Sequence, residues 1–282
     1  LKIQYKQKTP YAFGYFLQAY TNLYKITGNV DILENIKELD MLLTESIVAT
    51  QSGLGVPYSS NNKGLVLGSI ITNEHTANAP GGAECFWGYM MASKAFFNEE
   101  FNKKAMLIAR GFYNDFALKS CTEGVCFDYS NHGDGTHILN ASILIAVCIL
   151  ESGLDGDTSE IVRGCYKYVR KYMVEFDELP YAGIEDQKLN KTWYSYDCYH
   201  TGFVLRSMNY IDKVLFNSND KELILNKVKK MMKDFTFRGT VCMFKSEKYY
   251  DIHAFAEYIN TYSCFYDFFT IDEKIYIENI IK

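Results

Sequence analysis

A chain of 282 residues with 48% apolar side chains can bury a large core, which excludes a disordered protein. Its net charge of −5, with Lys and Arg scattered singly and no basic stripe, speaks against nucleic acid and anionic membrane as partners. No apolar run reaches the roughly 20 residues of a membrane helix, and no signal peptide is visible. The expectation is therefore one domain spanning residues 1–282, located in the cytoplasm.

Apolar spacing is helical almost throughout. Residues 12–28 put Phe13, Phe16, Leu17, Tyr20, Leu23 and Tyr24 at three- and four-residue steps, with Gly28 as a stop. Residues 31–48 open on Asp31, an N-cap candidate with Glu34 three positions on. Further helical stretches are predicted at 83–98, 100–118, 136–153, 158–176, 198–216, 220–235, 253–269 and 272–281. The four prolines, at 10, 57, 80 and 180, precede helices or fall in connectors.

The links at 28–30, 98–99, 154–157, 217–219 and 270–271 are short and join helices into antiparallel hairpins. Those at 49–82, 119–135, 177–197 and 236–252 are long. Five hairpins result, arranged around a common axis or stacked in an array. All five histidines, at 75, 132, 137, 200 and 253, fall in long links or in the first helical turn after them. Hairpins around one axis would gather those links on one face, and function concentrates on such loops. Asp128, Asp134, Glu185, Tyr129, Tyr181, Tyr196, Tyr199 and Tyr249 would join the histidines there.

Three stretches stand out. In "YSYDCYHTGF" (194–203), Asp197 is placed to cap a helix with His200 in its first turn. Capping alone accounts for that placement, and so does proton transfer by His200. "YYDIHAFAEY" (249–258) repeats the scheme with Asp251 and His253, and Glu257 follows four residues later, at salt-bridge spacing. "FDYSNHGDGTHILNAS" (127–142) has a tight turn at Gly133 and Gly135, then His137 and Asn140 on one helix face. The spacing of Cys121 and Cys126 matches no common zinc pattern, and a disulfide between them is a minor alternative to buried thiols. No metal, nucleotide or other organic cofactor is called for: there is no GxGxxG, Walker loop or GxSxG, and neither Cys85 nor Cys198 reads as a nucleophile. Flat aromatic faces beside Asp, Glu, His and Asn suit a sugar ring and its hydroxyls. Both carboxylate-pair hydrolysis and His-mediated proton abstraction remain open.

At these residues the chain resembles the α/α-toroid proteins of the six-hairpin glycosidase-like group. More narrowly, it resembles a set of bacterial proteins linked to surface-polysaccharide loci. That set shows an "HNAN" element, here "HILNAS" (137–142), and a "W-x-D-x-(F/Y)HTGF" element, here "WYSYDCYHTGFVL" (193–205). It also shows "YPIDIHSAAQ", here "YYDIHAFAEY". The resemblance implies an all-α fold, an α/α toroid of helical hairpins. The group usually has six hairpins, so an N-terminal one is expected to be absent or cropped. It also implies a connection to poly- or oligosaccharides, through glycoside hydrolase, lyase or epimerase chemistry in bacterial surface polysaccharide metabolism. The alternative is a non-catalytic glycan-binding or scaffold protein of a polysaccharide assembly system.

The expected catalytic residues are His200, Asp197, His253 and Asp251. His200 would transfer a proton, and Asp197 would orient it or the substrate. The expected substrate contacts are Trp193, Tyr194, His137, Asn140, Glu84, Trp87 and Tyr250, with Trp193 and Tyr194 stacking on a sugar ring. Nothing in the sequence sets the oligomeric state.

Overall fold

The computed structural model describes residues 9–57, 65–67, 70–72, 75–156, 158–189, 196–245 and 249–282. Its helices are α1 (Pro10–Thr27), α2 (Ile32–Ser46), α3 (Ala79–Phe96), α4 (Glu99–Asp115), α5 (Leu139–Ser152) and α6 (Thr158–Glu175). They continue as α7 (Ile184–Leu189), α8 (Cys198–Leu215), α9 (Lys221–Asp234), α10 (Ile252–Cys264) and α11 (Ile271–Ile281). All but α7 answer to a stretch that apolar spacing predicts, and α1 with α2, α3 with α4 and α8 with α9 pack as hairpins.

Local chemistry sets most boundaries. Pro10 opens α1, where its missing N–H costs nothing, and Gly28 ends it at a φ of 65°. Asn78 caps α3 by accepting from the Gly81 N–H at 2.8 Å. Thr270 and Glu273 form a reciprocal capping box on α11. The expected cap at Asp31 fails. Its backbone is already helical, and its side chain caps nothing among the described residues. The last predicted stretch before α11 is also shorter than its apolar spacing suggests: α10 stops at Cys264, and a 3₁₀ turn covers Tyr266–Phe268.

The long links contain short antiparallel ribbons that a helical period cannot reveal. They pair β1 (Val48–Ala49) with β2 (Leu54–Gly55), and β3 (Leu65–Leu67) with β4 (Ile70–Thr72). Strands β5 (Leu118–Ser120) and β6 (Val125–Phe127) form a third ribbon, and β7 (Thr236–Phe237) with β8 (Thr240–Val241) a fourth. Two or three residues are too few to show alternation.

The chain divides into two compact units. The first holds the chain up to Lys119, Phe127–Thr136 and Cys148–Ser159; the second holds Ser120–Cys126, His137–Val147 and the chain from Glu160. In the first unit α1 packs on α2 and on α3, and α3 on α4. Gln18 of α1 donates to the carboxylate of the buried Glu84 on α3 at 2.8 Å.

In the second unit α8 packs on both α9 and α10. Gly202 sits at the α8–α10 contact, where a Cβ would lie 2.5 Å from Glu257 Cγ and 2.8 Å from Thr261 Oγ1. One turn on, Arg206 grips the buried Glu257 carboxylate with two N–H···O bonds of 2.7 and 2.8 Å. Glu257 is therefore tied to α8, and its expected local pairing with His253 is replaced by Arg206.

The same unit ties α6 to the start of α9. Arg170 donates to both oxygens of Asp220 at 2.6 and 2.8 Å, and the Tyr166 hydroxyl adds a bond of 2.9 Å. The guanidinium holds the Asp220 carboxyl below the usual carboxylate range. A depressed native value stabilises the fold above the unfolded value and is lost as pH falls through the native one. Because Arg170 is nearly half exposed, screening limits the pair to about 1 kcal/mol. Arg170→Ala is expected to lower stability by that much at neutral pH. In urea melts across pH, the gap to wild type should close in acid. A gap unchanged down to the acid limb would assign the effect to lost packing.

Candidate functional site

Helix α8 begins where Asp197, in extended conformation, turns its side chain over the first turn and accepts from the His200 N–H at 2.9 Å. The same carboxylate holds His200 Nδ1, at 3.0 and 2.8 Å from its two oxygens. A carboxylate only accepts, so Nδ1 carries the proton and the chemistry of the ring falls to Nε2. Asp197 is 2% exposed, while the His200 side chain keeps 27% of its surface. The acid is thus an internal brace and the imidazole is the part presented.

The surroundings of His200 come from distant segments. Leu139 N–H donates to the Tyr181 carbonyl at 3.1 Å, and Gly183 N–H to the His137 carbonyl at 2.7 Å. These bonds strap the 177–183 link to the start of α5. Tyr181 then meets His200 edge to face, with ring centres 4.5 Å apart, and Tyr199 approaches the imidazole at 5.0 Å. A small concavity forms, lined by Leu139, Asn140, Leu179, Pro180, Tyr181, Asp197, His200, Thr201 and Val204. Its enclosed part has room for about one water-sized group. Asn140 is 1% exposed, and neither its amide nitrogen nor its oxygen has a hydrogen-bond partner among the described residues.

A second dyad repeats the first. Asp251 caps α10 through the His253 and Ala254 N–H groups, and one of its oxygens lies 3.1 Å from His253 Nδ1. The Tyr199 ring lies 5.9 Å from His253, so it neighbours both imidazoles. His253 is the more exposed, at 57% of its side chain.

His137 precedes α5, so it does not share a helix face with Asn140 as the spacing suggests. Its Nδ1 lies 3.0 Å from Asp186 Oδ1, and its main-chain N–H donates to the same carboxylate. Tyr250 is exposed beside Asp251. Glu84 and Trp87 belong to α3 in the first unit, where Glu84 faces Gln18. His75 and His132 also lie in that unit. Trp193 and Tyr194 lie outside the described residues.

Sequence reasoning misses the contribution of Thr201 and of the 179–180 segment to the concavity, and it misses Asp186. No local pattern marks these residues. Asp128 and Asp134, expected on a titratable face, organise a turn instead. Asp134 accepts from Ser130, Thr136 and Tyr129, and Asp128 pairs with Lys119. Gly133 and Gly135 supply the positive φ of that turn, 69° and 70°.

No disulfide is present among the described residues; six of the eight cysteines are buried, Cys121 is half-buried and Cys264 is exposed. Cys264 thus departs from the expectation of buried thiols. Burial pushes the thiols of Cys85, Cys148 and Cys198 up, which suits inert core residues rather than nucleophiles.

No family model matches the sequence, and no curated protein matches it. Solved structures do. A cellobiose 2-epimerase from Spirochaeta thermophila superposes with a TM-score of 0.69 at 14% identity, covering 97% of this chain and 71% of that one. A sugar epimerase from a ruminal bacterium gives 0.67 at 12%, covering 96% and 74%. An inactive variant of a GH76 α-1,6-mannanase from Salegentibacter, in complex with α-1,6-mannotriose, gives 0.66 at 10%, covering 96% and 75%. The fold is an α/α toroid. It is the fold expected from the resemblance. No helix among the described residues is long and apolar enough to cross a membrane.

Proposed function

We propose that the protein is a carbohydrate-active enzyme that moves a proton at a sugar carbon, with His200 as the acid–base and an oligo- or polysaccharide as substrate. The observation that carries this reading is the buried Asn140 amide, without a hydrogen-bond partner among the described residues, in the same concavity as the Asp197-braced imidazole. A buried amide without partners costs free energy and calls for a purpose. A sugar hydroxyl both donates and accepts, and so satisfies either amide atom. The enclosed space admits one such group, so the sugar ring would rest over the mouth, against Tyr181.

The chemistry follows from the dyads. With its proton on Nδ1, His200 takes a carbon-bound proton at Nε2 from a position next to a carbonyl or carboxylate. The resulting enolate is reprotonated on its other face, giving an epimer, or expels a leaving group, giving an unsaturated product. His253, which shares the Tyr199 ring as a neighbour with His200, supplies the second proton. The likeness in fold to sugar epimerases supports this reading. Carboxylate-pair hydrolysis has less support. The inactive mannanase carries changes at two adjacent aspartates, and no two aspartates are adjacent in this chain. Buried thiols outside any disulfide among the described residues, at Cys85, Cys148, Cys165 and Cys198, support a reducing, cytoplasmic compartment.

The test is incubation with neutral and uronic-acid oligosaccharides in D₂O, followed by mass spectrometry and NMR. Epimerisation is expected to add one deuterium at the reacting carbon, and elimination to give an unsaturated sugar. Cleavage by water without carbon-bound deuterium would overturn the proposal, and so would binding without any product.

Asn140 separates stability from function. Asn140→Leu keeps the branched outline of the side chain and removes the amide. It is expected to raise stability by about 1 kcal/mol while weakening substrate binding at least tenfold. Thermal melts beside KM measurements check both directions. A loss of stability would mean that the amide has a structural partner.

A further inference from the structure

A second site lies in the same unit, apart from the residues that line the concavity. The turn between β5 and β6 closes with the Cys121 N–H donating to the Gly124 carbonyl at 3.0 Å. It is pressed on α6 so closely that a Cβ on Gly124 would lie 2.1 Å from the Gly164 carbonyl oxygen. Cys121 and Cys126 flank that turn with their sulfurs 3.2 Å apart. His137, from the start of α5, brings its ring to them, and the three ligand atoms all lie within 4.8 Å of one another.

We propose that Cys121, Cys126 and His137 bind a zinc-class divalent metal ion. The residue types are those of a Cys₂His set, with a fourth position left for another ligand. Tetrahedral zinc with Zn–S bonds of about 2.3 Å holds two sulfurs roughly 3.7 Å apart, so small side-chain rotations adapt the pair. The surroundings of the histidine agree independently. A metal-bound imidazole characteristically donates its other N–H to a carboxylate, which fixes the ring and raises its basicity. His137 has that arrangement: Asp186, 7% exposed, sits 3.0 Å from Nδ1, which leaves Nε2 as the coordinating atom. The neighbouring Glu185 has a buried carboxylate oxygen, Oε2, with no hydrogen-bond partner among the described residues. A buried carboxylate oxygen left unpaired is costly.

Binding joins three chain segments: the turn, the start of α5 and, through Asp186, helix α7. It displaces the two thiol protons as the sulfurs become thiolates. The ion would anchor the segment that leads into Asn140, three residues beyond His137. The role is structural and does not depend on the proposed chemistry at His200.

The test uses the full chain, purified under reducing conditions, stripped with a chelator and titrated with Co²⁺ and then Zn²⁺. Expected are one equivalent per chain, a thiolate-to-cobalt charge-transfer band, and visible bands of tetrahedral intensity that zinc abolishes. Asp186→Asn is expected to weaken zinc binding by about 10–100-fold, and Cys121→Ser with Cys126→Ser to remove the charge-transfer band. Should the double variant fail to fold, His137→Gln and Asp186→Asn carry the comparison, with circular dichroism as the control. No charge-transfer band in the reduced wild type would overturn the proposal. So would unchanged binding in folded variants. A loss of two mass units in air, with no metal uptake after reduction, would mark the pair as a disulfide instead.

Discussion

His200→Ala is expected to lower kcat/KM by about 10²–10⁴-fold, the usual contribution of a positioned acid–base, while the helix around it stays folded. The reason lies in how Asp197 divides its bonds. Its cap on α8 is made to the His200 main-chain N–H, which alanine keeps. The bonds to Nδ1 and the ring contacts with Tyr181 and Tyr199 disappear, and the lost side chain was already part-exposed. A stability change of about 1 kcal/mol, or roughly 2–4 °C in Tm for a chain of this size, would follow. Loss of the fold would instead make His200 a packing residue.

Asp197→Asn is the companion test. The amide retains the cap, but it can also donate to Nδ1 and so permit the wrong tautomer. As a positioning residue, Asp197 should then affect kcat more than KM and flatten the acid–base dependence of the rate. An equal rise in KM with kcat unchanged would assign it to substrate binding.

The largest effect on stability is expected at Arg206. Arg206→Ala removes both guanidinium bonds to Glu257, a residue 2% exposed, and leaves its carboxylate in the α8–α10 contact with the Thr261 hydroxyl at 3.1 Å. Breaking a buried pair in this way costs about 3–5 kcal/mol. The double change Arg206→Met with Glu257→Leu removes both charges and should recover most of that loss, since apolar replacements of a buried pair are often neutral or better. Urea melts of the single and double variants form the comparison. A single variant within about 1 kcal/mol of wild type would show that water reaches Glu257. Gly202 belongs to the same contact, which gives the glycine of "HTGF" a packing reason independent of chemistry.

Much of this molecule is written locally. The helices follow from apolar residues at three- and four-residue steps, and the pairing of α1 with α2, α3 with α4 and α8 with α9 from the short links between them. The Asp197–His200 and Asp251–His253 dyads span three and two residues, so one cap geometry creates each of them wherever the chain goes. That is why both dyads are legible in the sequence. The ribbons in the long links are not, because strands of two or three residues carry no period.

Everything else in the candidate site depends on which distant segments meet. His137 and Asp186 are 49 residues apart, and Arg206 and Glu257 are 51 apart. Spacing offers His253 as the partner of Glu257, but the close α8–α10 approach at Gly202 turns that carboxylate toward Arg206 instead. Spacing likewise sets Cys121 and Cys126 aside as metal ligands, since the third residue of the set arrives from another segment. Asn140 illustrates the limit best: in sequence it is one polar residue at the start of an apolar helix. Only the packed chain, in which its amide is buried in a concavity without a partner among the described residues, makes it a candidate for a ligand. Backbone and capping preferences act over a few residues and can be read along the chain, whereas burial and side-chain pairing are properties of the assembled core.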